Sequence, residues 1–250
     1  MTGCRPGVSV ILPVFNGEAF LAEALDSILC QDRTDIELVV IDDGSTDGST
    51  DILQRYTGAM TYRHQENRGP AAARNLGLEL ARGNLIAFID ADDTWPAGKL
   101  RHQLALLAGA AAHHCEFVMG HSRFVQHRDG GDGQPEVLIE ACPQMLLGAG
   151  LYTRRVFDRV GVFDESLRHG EDWDWFTRAR ELSVPMYMSA EVTLTYRRHG
   201  NNMSRDLAAS QGDFLKLLRN SLQRRREAGD GRAAELAAWP MAAGTPGGEP

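Results

Sequence analysis

The chain has 250 residues, enough for one large α/β domain or two small ones, and its composition of 43% hydrophobic and 24% charged residues is ordinary for a globular protein. Its net charge of −8 argues against a nucleic-acid partner, because a nucleic-acid-binding surface should be basic. No segment approaches the roughly 20 apolar residues that span a bilayer, and the first residues lack the apolar core of a signal peptide. The cysteines, Cys4, Cys30, Cys115 and Cys142, lack zinc spacing, so we expect reduced thiols in a cytoplasmic protein.

Apolar runs alternate with helical patterns along the first hundred residues. Buried strands are predicted at Val8–Val14, 36–41, 60–64 and 85–89. Helices are predicted between them, at 18–31, directly after Asp47, and at 70–81, where Pro70 suits the first helical position. This alternation predicts a parallel, doubly wound sheet whose loops meet at the carboxyl edge.

Acidic side chains follow two of these predicted strands. Asp42 and Asp43 come after the second, whereas Asp90, Asp92 and Asp93 come after the fourth. Open α/β sheets bind ligands at this edge, and carboxylates suit Mg²⁺ or Mn²⁺, which usually completes its shell with substrate phosphates. A solvated acidic turn that caps the next helix is the alternative. Two acidic strand ends at one edge favour the ligand site.

The second half of the chain contains another acidic cluster. Asp172 and Asp174 stand beside Trp173 and Trp175 near the start of a helix predicted at 169–180. Aromatic surface can raise the pKa of a carboxylate, as a general base requires. Acids at helix starts are far more often caps than catalysts, so the cluster alone favours a cap.

Further strands are predicted at 116–126, 185–187 and 192–196, with a turn or mobile loop at 129–135 as the main internal break. His113 and His114 lie near that break without ligand spacing, and we interpret them as surface residues. Arg197, Arg198 and His199 follow the last strand and suit a diphosphate or a metal, with a solvated loop as the alternative.

A basic amphipathic helix is predicted at 208–226. Phe214, Leu217, Leu218 and Leu222 share one face of it. We expect this face to pack on the domain, and peripheral contact of the basic helix with a membrane surface is the alternative. The Gly- and Pro-rich end at 242–250 is predicted to be disordered.

Six strings occur in an order that resembles the family 2 glycosyltransferases, which are inverting and have the GT-A fold. They are VSVILPVFN, VVIDDGSTD, NRGPAAARNLGLELARG, IAFIDADD, GVFDESLRHGEDWDW and YRRHGNNMS, and the resemblance covers about residues 8–204. It implies an α/β GT-A fold, a single Rossmann-like domain with a mostly parallel central sheet flanked by helices. We expect this domain at 1–204, with a donor half at about 8–127 and an acceptor and catalytic half at about 136–204. An amphipathic helical segment at 205–239 and a disordered tail at 240–250 would follow.

The resemblance also implies roles for individual residues. Those expected at the nucleobase are Pro13, Phe15, Asp42, Asp43 and Arg74. The string Asp90-Ala91-Asp92 resembles the DxD motif of the family, in which Asp92 would ligate Mn²⁺ or Mg²⁺ and Asp90 would lie toward the ribose, with Asp93 as a second candidate. His199 resembles a late metal or diphosphate contact. Asp172, in the pair Glu171-Asp172, resembles the catalytic base.

The implied reaction is metal-dependent transfer of one hexose-type sugar from a nucleotide-diphosphate sugar, with a UDP-sugar favoured, to a glycan, lipid-linked or other hydroxyl acceptor. The chain lacks the QxxRW string of processive synthases, so we expect single transfers. It would act in the cytoplasm, and at the inner face of the membrane if the basic helix docks there.

Two alternatives remain for the function. A sugar-phosphate nucleotidyltransferase usually has a Gly-rich basic loop after the first strand, whereas the loop at 15–18 is short and acidic. A non-catalytic nucleotide-sugar or glycan-binding module is the second alternative. One departure from the family concerns the geometry near the acceptor, because Val162 stands where the family usually has a second glycine.

Overall fold

The computed structural model describes residues 6–33, 35–109, 114–126, 135–200, 202 and 207–227. The strands are β1 Val8–Val14, β2 Ile36–Asp42, β3 Thr61–His64, β4 Leu85–Phe88, β5 Phe117–Gln126, β6 Glu136–Cys142, β7 Gly150–Thr153 and β8 Met186–Arg198. The helices are α1 Leu21–Leu29, α2 Ser49–Gln54, α3 Pro70–Leu80, α4 Lys99–Ala108, α5 Arg154–Val160, α6 Glu171–Glu181 and α7 Leu207–Glu227.

One sheet contains all of these strands. Its order is β3-β2-β1-β4-β7-β5-β6, and β8 pairs with β5 outside this path. In the first half, β1 is parallel to β2 and to β4, and β2 is parallel to β3. The pairs Val8↔Ile36 and Val14↔Asp42 show that β1 and β2 run side by side to their carboxyl ends. The predicted edge, at which the loops after β1, β2 and β4 meet, is therefore present.

The second half of the sheet is mixed. β7 is antiparallel to both β4 and β5, whereas β8 is parallel to β5. The predicted strands at 185–187 and 192–196 are one strand, β8, and its pairing with β5 shifts register around Gly120. A Cβ at Gly120 would come within 2.3 Å of Thr193, so glycine allows the two strands to approach there. The α/β fold with a central sheet flanked by helices is confirmed.

An aromatic cluster fixes the helix that carries the acidic pair. The indole of Trp175 on α6 is fully buried and lies 5.9 Å from Phe117 of β5 and 5.6 Å from Tyr152 of β7, measured between ring centroids. Trp175 Nε1 also donates a hydrogen bond to the carbonyl of Gly161. These contacts determine which side of α6 faces the core. Trp175 faces the core, which leaves the preceding turn of the helix at the edge of the sheet.

Several predictions concern residues outside the described ranges. They are Cys4, His113, most of the predicted loop at 129–135, and the tail at 240–250. His114 is described and is exposed, as expected. The helix predicted at 208–226 is confirmed as α7. Among the described residues, no helix is both long enough and apolar enough to cross a membrane.

The packing predicted for α7 is wrong for most of its apolar face. Leu217 is buried against the domain, but Phe214, Leu218 and Leu222 are exposed. Polar contacts hold the helix instead, because Arg224 on α7 donates to Glu181 of α6 at 2.7 Å. These contacts turn Leu217 inward and leave the neighbouring apolar side chains outside.

Candidate active site

The loops after β1 and β2 are held together by hydrogen bonds. Asn16, at a positive φ of 51°, donates from its backbone N–H to Ser45 Oγ at 3.1 Å and accepts from the backbone N–H of Thr46 at 2.8 Å. Gly17 N–H donates to Ser49 Oγ at 2.9 Å. These contacts present Phe15 outward, with 52% of its surface exposed, beside half-buried Pro13. An exposed aromatic ring here provides a flat surface on which a nucleobase can stack.

Asp42 is enclosed by the protein. Its carboxylate accepts hydrogen bonds from the backbone of Ser45 at 2.9 Å, from the Tyr62 hydroxyl at 3.1 Å, and from Thr50 Oγ1 at 3.4 Å, and it lies 3.2 Å from His64 Nδ1. Burial opposes its charge, but these hydrogen bonds outweigh burial and lower the pKa of Asp42 below its usual value. A carboxylate has about four acceptor positions, so Asp42 has none left for a ligand.

Asp43 is equally buried but has one acceptor position left. It accepts from Gln65 Nε2 at 2.7 Å and from the backbone N–H groups of Arg68 and Gly69 at 2.9 and 2.8 Å. Asp43 therefore holds the loop that leads into α3, and it is better placed than Asp42 to accept one further hydrogen bond.

Asp92 faces the loop that follows β8. Its Oδ2 lies 2.9 Å from His199 Nε2 and accepts from Asn202 Nδ2 at 3.1 Å. The His199 ring lies 4.8 Å from that of Phe20, which fixes the imidazole in place. The family resemblance implies separately that Asp92 ligates a metal and that His199 contacts the metal or the diphosphate, and the structure brings the two side chains together. Asn202 was not predicted, since an amide in a loop has no distinctive pattern.

Asp93 faces inward. Its Oδ1 accepts a hydrogen bond from the backbone N–H of Arg197 at 3.0 Å, and burial together with the nearby charges of Asp92 and Asp90 raises its pKa well above the usual value. The Arg197 guanidinium lies over the Phe20 ring and donates to Glu23 Oε2 at 2.6 Å. Asp93 and Arg197 therefore join β8 to the loop after β4, while Arg198 is exposed.

A buried arginine connects the two acidic strings. Arg74 on α3 donates to Asp90 Oδ1 at 2.7 Å and also bonds Glu171 of α6. The guanidinium is thus placed at Asp90 and Glu171 and not at Asp42 or Asp43. Burial opposes the charge of Arg74, but these two carboxylates outweigh burial and raise its pKa, so it stays charged. Sequence reasoning missed this bridge, because nothing in the ARN string shows which acids the arginine will meet.

Asp172 stands next to that bridge and is half-buried. Burial and the neighbouring charge of Glu171 raise its pKa to about 7, against the attraction of Arg74 and a hydrogen bond from the backbone N–H of Trp173. A carboxyl group that titrates near neutral pH is matched to proton transfer. The Trp173 indole beside it is largely exposed.

Asp174 has a structural role. It is buried and accepts from Arg178 Nε of the same helix at 2.7 Å and from Arg224 of α7 at 3.3 Å. Its carboxylate therefore ties α7 to α6, and Asp172 is left as the acid of this cluster that can act on a substrate.

The unusual Val162 fits the local backbone. Gly161 keeps the positive φ of 86° that a glycine tolerates, whereas Val162 is 52% exposed and is not at a positive φ. Asn75 on α3 holds the loop from both sides, because it donates to the Phe163 carbonyl at 2.9 Å and accepts from the Phe163 N–H at 2.9 Å. The departure from the family pattern therefore leaves the loop geometry unstrained.

The donor atoms at Asp92 fit a divalent cation when a ligand completes the shell. Among the described residues, no three His, Cys, Asp or Glu side chains lie together as metal ligands. Asp92 and His199 instead provide one carboxylate oxygen and one imidazole nitrogen, a combination that suits Mn²⁺. Metal ions with so few protein ligands normally take substrate phosphates and water for the remaining positions.

Comparison with known proteins identifies the family. The model of glycosyl transferase family 2 matches residues 9–137. The chain belongs to this family. An uncharacterized glycosyltransferase of Rickettsia prowazekii is 30% identical over 207 residues, 78% of this chain and 64% of that protein. The putative teichuronic acid biosynthesis glycosyltransferase TuaG of Bacillus subtilis is 41% identical over 151 residues, 58% of this chain and 57% of TuaG. The chain thus spans less than two thirds of the length of these family relatives.

Solved structures of glycosyltransferases share the fold. S. aureus TarS in complex with UDP-GlcNAc superposes with a TM-score of 0.70 at 23% identity, over 87% of this chain and 66% of that one. The mannosyltransferase PcManGT from Pyrobaculum calidifontis, in complex with GDP-Man and Mn²⁺, gives a TM-score of 0.64 at 22% identity, over 90% of this chain and 65% of that one. The predicted GT-A fold is confirmed.

Proposed function

We propose that the chain is a glycosyltransferase that moves one sugar from a nucleotide-diphosphate sugar to an acceptor hydroxyl with inversion at the anomeric carbon. The observation that carries this proposal is the bridge made by Arg74. It joins Asp90, at the donor edge of the sheet, to Glu171, the neighbour of Asp172. A binding site at a sheet edge and a carboxyl group that titrates near pH 7 thus belong to one site.

The donor would lie across the loops after β1, β2 and β4. Phe15 and Pro13 would contact the nucleobase face, and the remaining acceptor position of Asp43 would receive a hydrogen bond from the base edge. The TarS and PcManGT structures contain UDP-GlcNAc and GDP-Man, which supports a nucleotide-sugar donor. A UDP-sugar remains the favoured donor, with Asp90 toward the ribose.

Asp92 and His199 would hold a divalent metal ion, with Mn²⁺ favoured over Mg²⁺ by the imidazole ligand. When bound, such an ion neutralises charge on the diphosphate leaving group. Asn202 and Phe20 keep the two protein ligands in place. Exposed Arg198 on the same turn is a second source of positive charge for the diphosphate.

Asp172 would act as the general base. Its carboxylate takes the proton from the acceptor hydroxyl while that oxygen forms a bond to the anomeric carbon and the bond from this carbon to the diphosphate oxygen breaks. The nucleoside diphosphate leaves with the bonding electrons. A single displacement inverts the configuration, as in inverting glycosidases, where a carboxylate also activates the incoming oxygen. The acceptor hydroxyl belongs to a glycan, a lipid-linked molecule or another acceptor.

The test is slow donor hydrolysis without an acceptor, measured for UDP-, GDP- and dTDP-sugars with Mn²⁺ and with EDTA. We expect release of one nucleoside diphosphate that stops in EDTA and returns with Mn²⁺. Tight nucleotide binding with no hydrolysis of any donor, and no transfer to added acceptors, would indicate a binding module instead. Pyrophosphate release from a nucleoside triphosphate and a sugar phosphate would indicate a nucleotidyltransferase.

A further inference from the structure

The last described helix, α7, has two faces with different chemistry. Its inner face is anchored to the domain by Leu217, which is buried, by Ser221, which bonds Glu181, and by Arg224, which bonds Glu181 and Asp174. The neighbouring face carries four large apolar side chains that are 41–67% exposed. These form the outer stripe, namely Phe214, Leu215, Leu218 and Leu222.

The spacing of the outer stripe makes it continuous. Phe214, Leu218 and Leu222 are four residues apart and Leu215 is three before Leu218, so all four lie on one side of the helix. Contiguous exposed apolar surface of this kind is rare on monomeric proteins and marks a docking site. The anchoring contacts of the inner face keep the stripe from turning into the core.

The charge of α7 differs from that of the rest of the chain. The chain has a net charge of −8, yet this helix contains Lys216, Arg219, Arg224, Arg225 and Arg226 against Asp213 and Glu227. Arg219 and Arg226 are exposed and lie just beyond the stripe on its outer side. Apolar side chains flanked by arginines are the pattern of helices that lie on anionic lipid surfaces.

The two acids of α7 are already engaged. Asp213 Oδ2 accepts from the backbone N–H of His169 at 3.0 Å, and Glu227 Oε1 accepts from Gln223 at 2.9 Å. A second copy of the chain that packed stripe to stripe would bring arginines against arginines, which is unfavourable. An anionic lipid surface matches both the apolar and the charged features.

The location of α7 connects this surface to the acidic pair. Asp213 contacts His169, three residues before Asp172, and Lys216 Nζ donates to the carbonyl of Ser166 at 2.9 Å. α7 thus lies on the loop that leads into α6. A surface bound by the stripe would lie across α7 from this loop, roughly one helix diameter of 10 Å away.

We propose that the outer stripe and its flanking arginines dock on a membrane surface that contains anionic lipids. In a second step, which rests on the proposed function, the acceptor hydroxyl belongs to a lipid-linked molecule at that surface. Docking places Asp172 near the headgroup region, where such a hydroxyl is presented.

Flotation with lipid vesicles tests the docking step. We expect the full chain to bind vesicles of phosphatidylcholine mixed with phosphatidylglycerol, and to bind vesicles of phosphatidylcholine alone weakly or not at all. It should dissociate from the mixed vesicles as the salt concentration is raised. The double variant L215Q/L218Q should lower the partition coefficient by at least about tenfold, because it removes apolar contact with the lipid. Arg219→Gln and Arg226→Gln should each lower it by roughly fivefold.

Matched controls are available elsewhere on the surface. Ile139→Gln removes an exposed apolar side chain on β6, and Arg55→Gln removes an exposed arginine after α2, so both should bind vesicles like the unmodified chain. All variants should keep their melting temperature, because the changed side chains are exposed. No vesicle binding, equal binding to both lipid compositions, or losses as large in the controls would overturn the proposal. So would a dimer in solution that L215Q/L218Q dissociates.

Donor hydrolysis separates this proposal from the proposed function. L215Q/L218Q should hydrolyse the donor at the unmodified rate and should lose only transfer to a vesicle-borne polyprenyl-phosphate-linked sugar. Vesicle binding without any hydrolysis would leave docking in place and contradict the proposed function. If L215Q/L218Q and the unmodified chain transfer sugar at equal rates, both to the vesicle-borne acceptor and to the same acceptor dispersed in detergent, the proposal of a lipid-linked acceptor at the docked surface is contradicted.

Discussion

The carboxyl ends of β2 and β4 carry similar acidic strings but have different surroundings. At β2, Asp42 is fully buried and Asp43 is 3% exposed, whereas the side chains of Asp90 and Asp92 at β4 are 42% and 28% exposed. Asp42, whose acceptor positions are all filled by the protein, fixes a loop, and Asp43 keeps only one acceptor position. Asp90 and Asp92 retain exposed surface and can bind something else.

The two pairs of acids differ in how far away in the sequence their hydrogen-bond donors lie. Asp42 and Asp43 are bonded by residues at most 26 positions away, all between the loop after β2 and the loop after β3. Asp92 is bonded by His199 and Asn202, which are 107 and 110 positions away. The end of β4 is therefore a place where the two halves of the chain meet, as the proposed reaction of two substrates would require.

The largest effect that would test this comparison is expected for Asp92→Asn. The substitution keeps the shape of the side chain but removes the charge that would attract the proposed divalent ion, an attraction worth several kcal/mol in a partly dry site. We expect donor hydrolysis to fall by roughly 10³-fold, with loss of the response to Mn²⁺. A titration with Mn²⁺, in which electron paramagnetic resonance measures the free ion, should show that Asp92→Asn binds Mn²⁺ more weakly than the unmodified chain.

The matched control is Asp51→Asn, an exposed carboxylate on α2, which should leave rate and Mn²⁺ binding unchanged. If Asp92→Asn hydrolyses the donor at the unmodified rate in Mn²⁺ and in EDTA, the end of β4 is not a metal site and the comparison fails.

A smaller effect is expected at β2, where Asp42→Asn and Asp43→Asn form a pair. Asp42→Asn places an amide NH₂, which can only donate, next to groups that also donate hydrogen bonds. The lost hydrogen bonds should lower the free energy of unfolding by about 2–4 kcal/mol. The Asp42 carboxylate has a lowered pKa, so its stabilisation is complete above the unfolded pKa of 3.8 and is lost as the pH falls through the lower folded value. The acid-induced loss of stability should be correspondingly smaller in Asp42→Asn.

Asp43→Asn should act on the ligand more than on the fold. We expect nucleoside diphosphate affinity to fall by about 1–3 kcal/mol in calorimetry, the loss of one hydrogen bond to the base, with a smaller decrease in melting temperature. If Asp42→Asn abolishes nucleotide binding without loss of stability while Asp43→Asn changes neither, the roles of the two acids are reversed.

The sequence alone was sufficient to predict the edge of the sheet and the acidic residues that lie there. Apolar runs predicted β1, β2 and β4 within a residue or two, because parallel strands buried on both faces are mostly apolar, and aspartates follow the second and fourth of these runs. Asp92 and His199 were each found through the order of the family strings, and the structure places the two side chains 2.9 Å apart.

Other features could not be predicted because they depend on distant parts of the chain. The sequence gives no indication that Arg74 meets Asp90 and Glu171, since that depends on how α3 and α6 cross the edge. The strand β8 was divided in two because Ser189, Ala190 and Glu191 interrupt its apolar residues, at the point where its register with β5 shifts. The amphipathic pattern of α7 was recognised, but the pattern could not show that Arg224 and Ser221 would select which face turns inward.

Asp172→Asn is an isosteric change at the proposed general base, whose pKa is raised to about 7 by burial and by Glu171. Because a base must be deprotonated, the rate of transfer by the unmodified chain should rise with pH to a plateau above about pH 7. The folded pKa is above the unfolded value of 3.8, so the folded chain holds the proton more tightly; Asp172 costs stability that grows as the pH rises from 3.8 and is complete above about pH 7. Asp172→Asn removes this cost, by roughly 1–2 kcal/mol since the side chain retains contact with water.

We therefore propose to measure the transfer rate and the melting temperature of both proteins at pH 6 and pH 8, on the same samples. Asp172→Asn should transfer sugar roughly 10²–10⁴-fold more slowly at pH 8, retain donor affinity, and melt at a higher temperature than the unmodified chain at that pH. Transfer by Asp172→Asn at the unmodified rate, with an unchanged melting temperature, would contradict the role of Asp172 as the base and leave it as an acid in the first turn of α6.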